Sequence, residues 1–130
     1  MSSTADNLSL FRLLIDQAPD AIIFADQQGV IRIWNNAAAD LFGYLPEEAV
    51  GQTLDIIVPE DLRLAHWAGF RTAVAAGHTK HGRGAMKTRA THKTGQKQYV
   101  SLAFSVVKDR DDKVLGAMAT AREFIADKSQ

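Results

Sequence analysis

The stretch "VPEDLRLAHWAGFRTAVAAG", residues 58–77, holds the side chain with the widest chemical scope in the chain, His66. A neutral imidazole among small and apolar residues can offer a nitrogen lone pair to a transition metal or to heme iron. At 3.6 residues per turn Leu62, His66, Gly69 and Ala73 make one stripe, with Ala65 beside it and Trp67, Phe70 and Val74 mostly on the adjoining one. Gly69 and Ala73 would leave room for a flat ligand next to the imidazole. The same pattern also suits a helix packed closely on a sheet, with His66 hydrogen-bonded or facing water.

The remaining reactive groups make a weaker case. His78 and His81 in "HTKH" stand three apart, but the flanking glycines place them in a loop and no third ligand is in view, so no zinc site is expected. His92 falls beside a turn. The acids of "PEEAV" and "PEDLR" sit at helix starts, where the macrodipole favours them, and do not form a catalytic pair. There is no phosphate-binding glycine loop, nucleophile elbow or kinase motif, and the expectation is a protein that is not an enzyme. With no cysteine, disulfides, thiolate nucleophiles and thiolate metal sites are excluded.

Fifteen basic residues balance fifteen acidic ones, so no net field draws the chain to nucleic acid or to an anionic membrane. The opening "MSSTADN" has neither a basic nor an apolar export signature, and no apolar run approaches ~20 residues. A cytoplasmic location without membrane contact is expected. A chain of 130 residues suits a single domain.

The elements that must position His66 follow from periodicity and punctuation. Residues 1–7 need no order, and residues 8–17 read as a helix stopped by Pro19. Its Leu8, Leu10, Phe11, Leu13, Leu14 and Ile15 nearly encircle it, which predicts a homodimer built on this helix, packed against the neighbouring sheet. Runs 21–25 and 30–34 flank the turn Gln27–Gln28–Gly29 as a hairpin. Asn35 is placed to cap a short helix ended by Gly43, and Asp61 to cap a longer one, 62–76, closed by Gly77. Strand-like runs at 85–92, 97–107 and 114–122 are joined by "KTGQ" and "DRDD". The fold class is therefore α+β: a five-stranded antiparallel sheet with short helices and one longer helix on one face.

The run "NNAAADLFGYLPEEAVGQ", with the hairpin "AIIFADQQGVIRIWN" before it and "THKTGQKQYVSLAF" after it, resembles the PAS sensory domains. The likeness spans residues 8–123 and leaves 124–130 as a C-terminal tail. Within the family the chain is most similar to the heme-binding sensors, the rhizobial oxygen-sensor kinases and related bacterial phosphodiesterases, through Pro59, Arg63 and His66. That resemblance implies heme b with His66 as the axial ligand of the iron, and O2, CO, NO or redox state as the signal. Counting back from Gly95, the family's distal position falls on or beside Met86, whose sulfur can serve as a sixth iron ligand; the alternative is a flexible core filler. Arg83 would reach a bound gas or a heme propionate, or stay solvated. Strand alternation adds Leu102 and Phe104 to the inward side, so the expected heme contacts are His66, Gly69, Phe70, Ala73, Met86, Leu102 and Phe104. The competing functions are a heme-free PAS module for homodimerisation or protein interaction, and a pocket for another small apolar ligand. A separate signalling effector is expected, since "REFIADKSQ" stands where the family has an Asp-x-Thr turn into a signalling helix.

Overall fold

A computed structural model describes residues 4–80 and 82–125. The chain runs α1 (Thr4–Gln17), β1 (Ala21–Asp26), β2 (Ile31–Trp34), α2 (Asn36–Phe42), α3 (Pro46–Ala49), two 3-10 turns, α4 (Arg63–Ala76), β3 (Met86–Thr91), β4 (Lys97–Lys108) and β5 (Val114–Glu123). The strands form one antiparallel sheet in the order β2-β1-β5-β4-β3, which brings the last strand between the first and the fourth. This is the α+β architecture expected. The first helix starts at Thr4, ahead of the position 8 read from its apolar residues. Met1–Ser3, His81 and the tail from 126 onward lie outside the described residues, and with them part of the expected 1–7 and 124–130 segments.

The hairpin closes through Asp26, whose Oδ1 accepts from the backbone N–H groups of Gln28 (2.9 Å) and Val30 (3.1 Å). Burial pushes this carboxyl up, but those bonds and the Arg32 side chain outweigh it and hold Asp26 below its ordinary value. Gly29 turns the chain at φ +80°, and the Trp67 ring of α4 lies directly on it: a Cβ there would sit 2.2 Å from the indole. A glycine is thus required twice over, by backbone angle and by the helix resting on the turn.

Asn35 ties the sheet to the helices. It is 1% exposed and makes four hydrogen bonds: Oδ1 accepts from Ala38 N (3.0 Å) and Ile22 N (2.8 Å), while Nδ2 donates to Ile15 O (2.8 Å) and Asp20 O (3.0 Å). It caps α2 as expected and also holds the end of α1 and the start of β1. Asp61 does not cap the long helix. A 3-10 turn, Glu60–Leu62, precedes α4, and the Asp61 carboxylate pairs with Arg89 on β3. An ion pair across the fold has taken the place of a local cap.

Residues paired across strands share a face, so three rows run over the covered side of the sheet: Met86–Leu102–Ala121–Ala21, Phe104–Ala119–Ile23–Trp34 and Val106–Ala117–Ala25–Ile31. In each row β5 contributes an alanine. The helix α4 crosses this floor, with Phe70 and Ala73 buried in the core and Trp67 and Val74 half-buried against it.

Candidate ligand site

His66 lies on the second turn of α4, half-buried, and its Nδ1 is buried without a hydrogen-bond partner. An unpaired buried polar atom carries a desolvation cost of about 1–3 kcal/mol, and Gln98 Oε1 is another such side-chain atom among the described residues. Two aromatic rings wall it in. Trp67 stands edge-on at 4.7 Å between centroids and Phe70 lies tilted at 6.1 Å. Trp67 is in turn anchored by its indole N–H, which donates to Asp55 Oδ1 at 2.7 Å, and Arg63 sits 3.8 Å from the same oxygen. The 3-10 turn Leu54–Ile56 thereby sets the orientation of the residue next to the imidazole.

Burial pulls the His66 imidazole below its ordinary value, and the nearby Asp55 carboxylate opposes the shift without cancelling it. The ring is therefore neutral at physiological pH, the form that can ligate a metal. The sign has a consequence for stability. Above the ordinary histidine value both folded and unfolded chains are neutral at this site; below it the unfolded chain takes up a proton first, so this site lowers stability as pH falls from about 6.5 through the depressed value. Urea unfolding of the metal-free protein at pH 7.5 and pH 5.5 is expected to show a drop in midpoint that is smaller in His66→Phe. Equal drops in the two proteins would contradict the assignment.

The helix turns a different stripe inward from the one its small residues suggest. Positions 66, 70 and 73 face the sheet, whereas Gly69 is exposed and a Cβ added to it would meet no atom within 4 Å. Stripes at i+3 and i+4 from His66 both close on Ala73, and the buried area of a phenylalanine, on the order of 150–250 Å², decides between them. Gly69 therefore does not open space beside the imidazole. The small floor comes from β5 instead, in Ala117, Ala119 and Ala121. The alternation in "GAMATAR" carries that signal.

Leu102 and Phe104 pack on the core from the covered face, as expected from alternation. Met86 opens the row of Leu102 at the end of edge strand β3 and is 41% exposed. Arg83 is exposed. His92 folds back on its own turn, its Nδ1 accepting from Thr94 N at 3.1 Å with the ring over Gly43. Among the described residues no three or more His, Cys, Asp or Glu side chains are grouped to hold a metal ion, and no helix is long and apolar enough to cross a membrane. An open cleft of about 500 Å³ lies elsewhere, between Asp40, Leu41, Gln98, Tyr99 and Phe124 at the opposite rim of the sheet. Trp67 was read from sequence only as a large residue on the adjoining stripe, and Asp55 and the β5 alanines were not singled out.

Residues 9–124 match the family model described as PAS fold. The sensor protein FixL of Bradyrhizobium diazoefficiens is 40% identical over 55 residues, 42% of this chain and 11% of that protein. The oxygen sensor protein DosP of Escherichia coli is 28% identical over 105 residues, 79% of this chain and 13% of that one. The chain thus spans little more than a tenth of the length of these relatives. A PAS domain crystal structure from Colwellia psychrerythraea superposes with a TM-score of 0.77 at 24% identity, covering 92% of this chain and 98% of that one.

Proposed function

We propose that this chain, which belongs to the PAS family and is a signal-sensing domain, holds heme b with His66 as the axial ligand and responds to O2, CO, NO or redox state. The observation that carries the proposal is the buried, unpartnered Nδ1 of an imidazole held neutral, on a helix packed against β5, which contributes three alanines to the covered face of the sheet. Its likeness to FixL and DosP supports the same reading. When bound, heme supplies an iron whose sixth position exchanges ligands or electrons. The chain's own work is binding and orientation. Phe70, Ala73, Leu102 and Phe104 would shield the porphyrin from water; Asp55 fixes Trp67, which fixes the imidazole plane; Met86 would supply a sulfur from the far side. Gly69, exposed on the other side of α4, is left out of this set. The domain's part would be to sense, and the response would pass to a signalling effector.

Leucine matches methionine in volume and apolarity, so Met86→Leu tests the sixth ligand alone. The ferrous wild-type spectrum is expected to be six-coordinate and low-spin, that of the variant five-coordinate, with CO binding at least about tenfold faster. Identical spectra would remove Met86 from the site and leave His66 in place.

A specific observation favours a second activity of the same domain, homodimerisation. No residue of α1 is buried, and Leu8, Leu10, Phe11, Leu13 and Leu14 are all exposed. We place this helix across a two-fold axis against the sheet of a second copy. Sedimentation is expected to give a dimer at about 50 µM, a concentration where a contact of about −8 kcal/mol is largely formed, and a monomer on deleting residues 1–17. An unchanged oligomeric state on that deletion would contradict it.

A further inference from the structure

The balance of fifteen basic against fifteen acidic residues conceals a sharp segregation. Residues 62–108 contain nine of the fifteen Lys and Arg, all four His, and none of the Asp and Glu. Most of these cations are held within the fold: Arg63 by Asp55, Arg89 by Asp61, Lys93 by Glu48, Lys108 by Asp112, and Lys87 over the rings of Tyr99 and Phe124. Lys97 feels the Asp61 carboxylate. Arg71, Lys80 and Arg83 are left, all exposed and without a carboxylate or ring partner among the described residues. Arg71 lies on the third turn of α4, and Lys80 and Arg83 on the loop that leads from the end of α4 to β3. Lys108, paired with Asp112, lies with its chain against Gly77 at the end of α4, 3.2 Å from where a Cβ would be.

A ridge of apolar and small residues runs along α4 toward this loop. Leu64, Ala68, Arg71 and Ala75 follow one another at i, i+4, i+7 and i+11 on the outer side of α4, and all four are exposed. Leu64 is 86% exposed, more than any other large hydrophobic residue described. A ridge of this kind ending in unpaired cations fits a protein helix with an apolar face and carboxylates beside it, because the apolar contact supplies affinity and the charges supply orientation. It fits nucleic acid poorly: Leu64 has nothing to gain against phosphates, and the acids that fill the rest of the chain repel a polyanion.

We propose that the outer face of α4, from Leu64 to Arg71 and on to Lys80 and Arg83, is a docking surface for an acidic amphipathic helix of another protein. The surface stands apart from His66, which faces the opposite side of α4. Its test uses the full chain, in the presence and absence of hemin, and a synthetic helical peptide of about 20 residues with leucines at third and fourth positions and glutamates elsewhere. Fluorescence anisotropy is expected to show saturable binding that weakens about tenfold between about 50 and 200 mM salt. The double reversal Arg71→Glu, Arg83→Glu is expected to weaken it at least about tenfold, and Leu64→Ser about three- to tenfold, with circular dichroism unchanged. Backbone NMR shifts on titration are expected to map to α4 and the loop after it. Equal binding of the peptide with lysine in place of glutamate, insensitivity to both variants, or shifts confined to the outer sheet would overturn the proposal. So would tighter binding of a single-stranded DNA oligonucleotide at the same residues, or a self-association that the double reversal abolishes.

Discussion

His66→Ala is expected to lose hemin affinity by at least about a hundredfold while remaining folded. The imidazole is the proposed donor to the iron, and its removal would leave only apolar contacts to hold the porphyrin. The fold should tolerate the change, because a half-buried ring with an unpartnered Nδ1 contributes less than a core residue and its deletion removes a desolvation cost. Added imidazole separates ligation from packing. At millimolar concentration it is expected to restore much of the heme spectrum in the alanine variant, since a free ring can enter the space vacated between Trp67 and Phe70. His66→Leu, which fills that space, is expected to bind hemin poorly and to resist rescue. Undiminished hemin binding by His66→Ala would show that iron ligation resides elsewhere.

Asn35→Ala is expected to cost about 3–5 kcal/mol of unfolding free energy, the largest loss from any single polar truncation in the chain. Four backbone groups depend on this amide: Ile15 O, Asp20 O, Ile22 N and Ala38 N. The residue is nearly inaccessible, so water cannot take over without a rearrangement. Asn35→Ser keeps the α2 cap but cannot reach both carbonyls, and about 1 kcal/mol of the loss is expected to return. Urea unfolding reads the difference directly. A loss below about 1 kcal/mol would mean that these four bonds are not held as described.

The same residue shows where local reading of the chain ends. Its cap on Ala38, three positions away, is visible in the order of residue types. Its bonds to residues 13, 15 and 20 positions back depend on how α1 and β1 fold over it, which no local pattern records. The hairpins, the stop glycines 43 and 77 and the strand alternation were legible for the same reason as the cap, because each rests on neighbours in sequence. Asp61 failed as a cap because its partner, Arg89, is 28 residues away. The phase of α4 was legible only to within one residue of a turn. Small residues suggested a stripe through Gly69, and the burial of Phe70 rotated the inward face to 66, 70 and 73. Charge was misleading in a different way: a sum of zero over the whole chain hid a middle segment with no acid at all.

The proposed association of copies through α1 and the proposed docking face on α4 do not depend on heme, so both stand if the ligand reading fails. The central claim stands on one titration. Purified wild-type protein titrated with hemin and followed by Soret absorbance and by quenching of tryptophan emission, to which Trp67, with its ring centroid 4.7 Å from that of His66, contributes along with Trp34, is expected to saturate at one hemin per chain with a shifted Soret band. A Soret band that stays at the position of free hemin, with no break at equimolar ratio, would contradict the account.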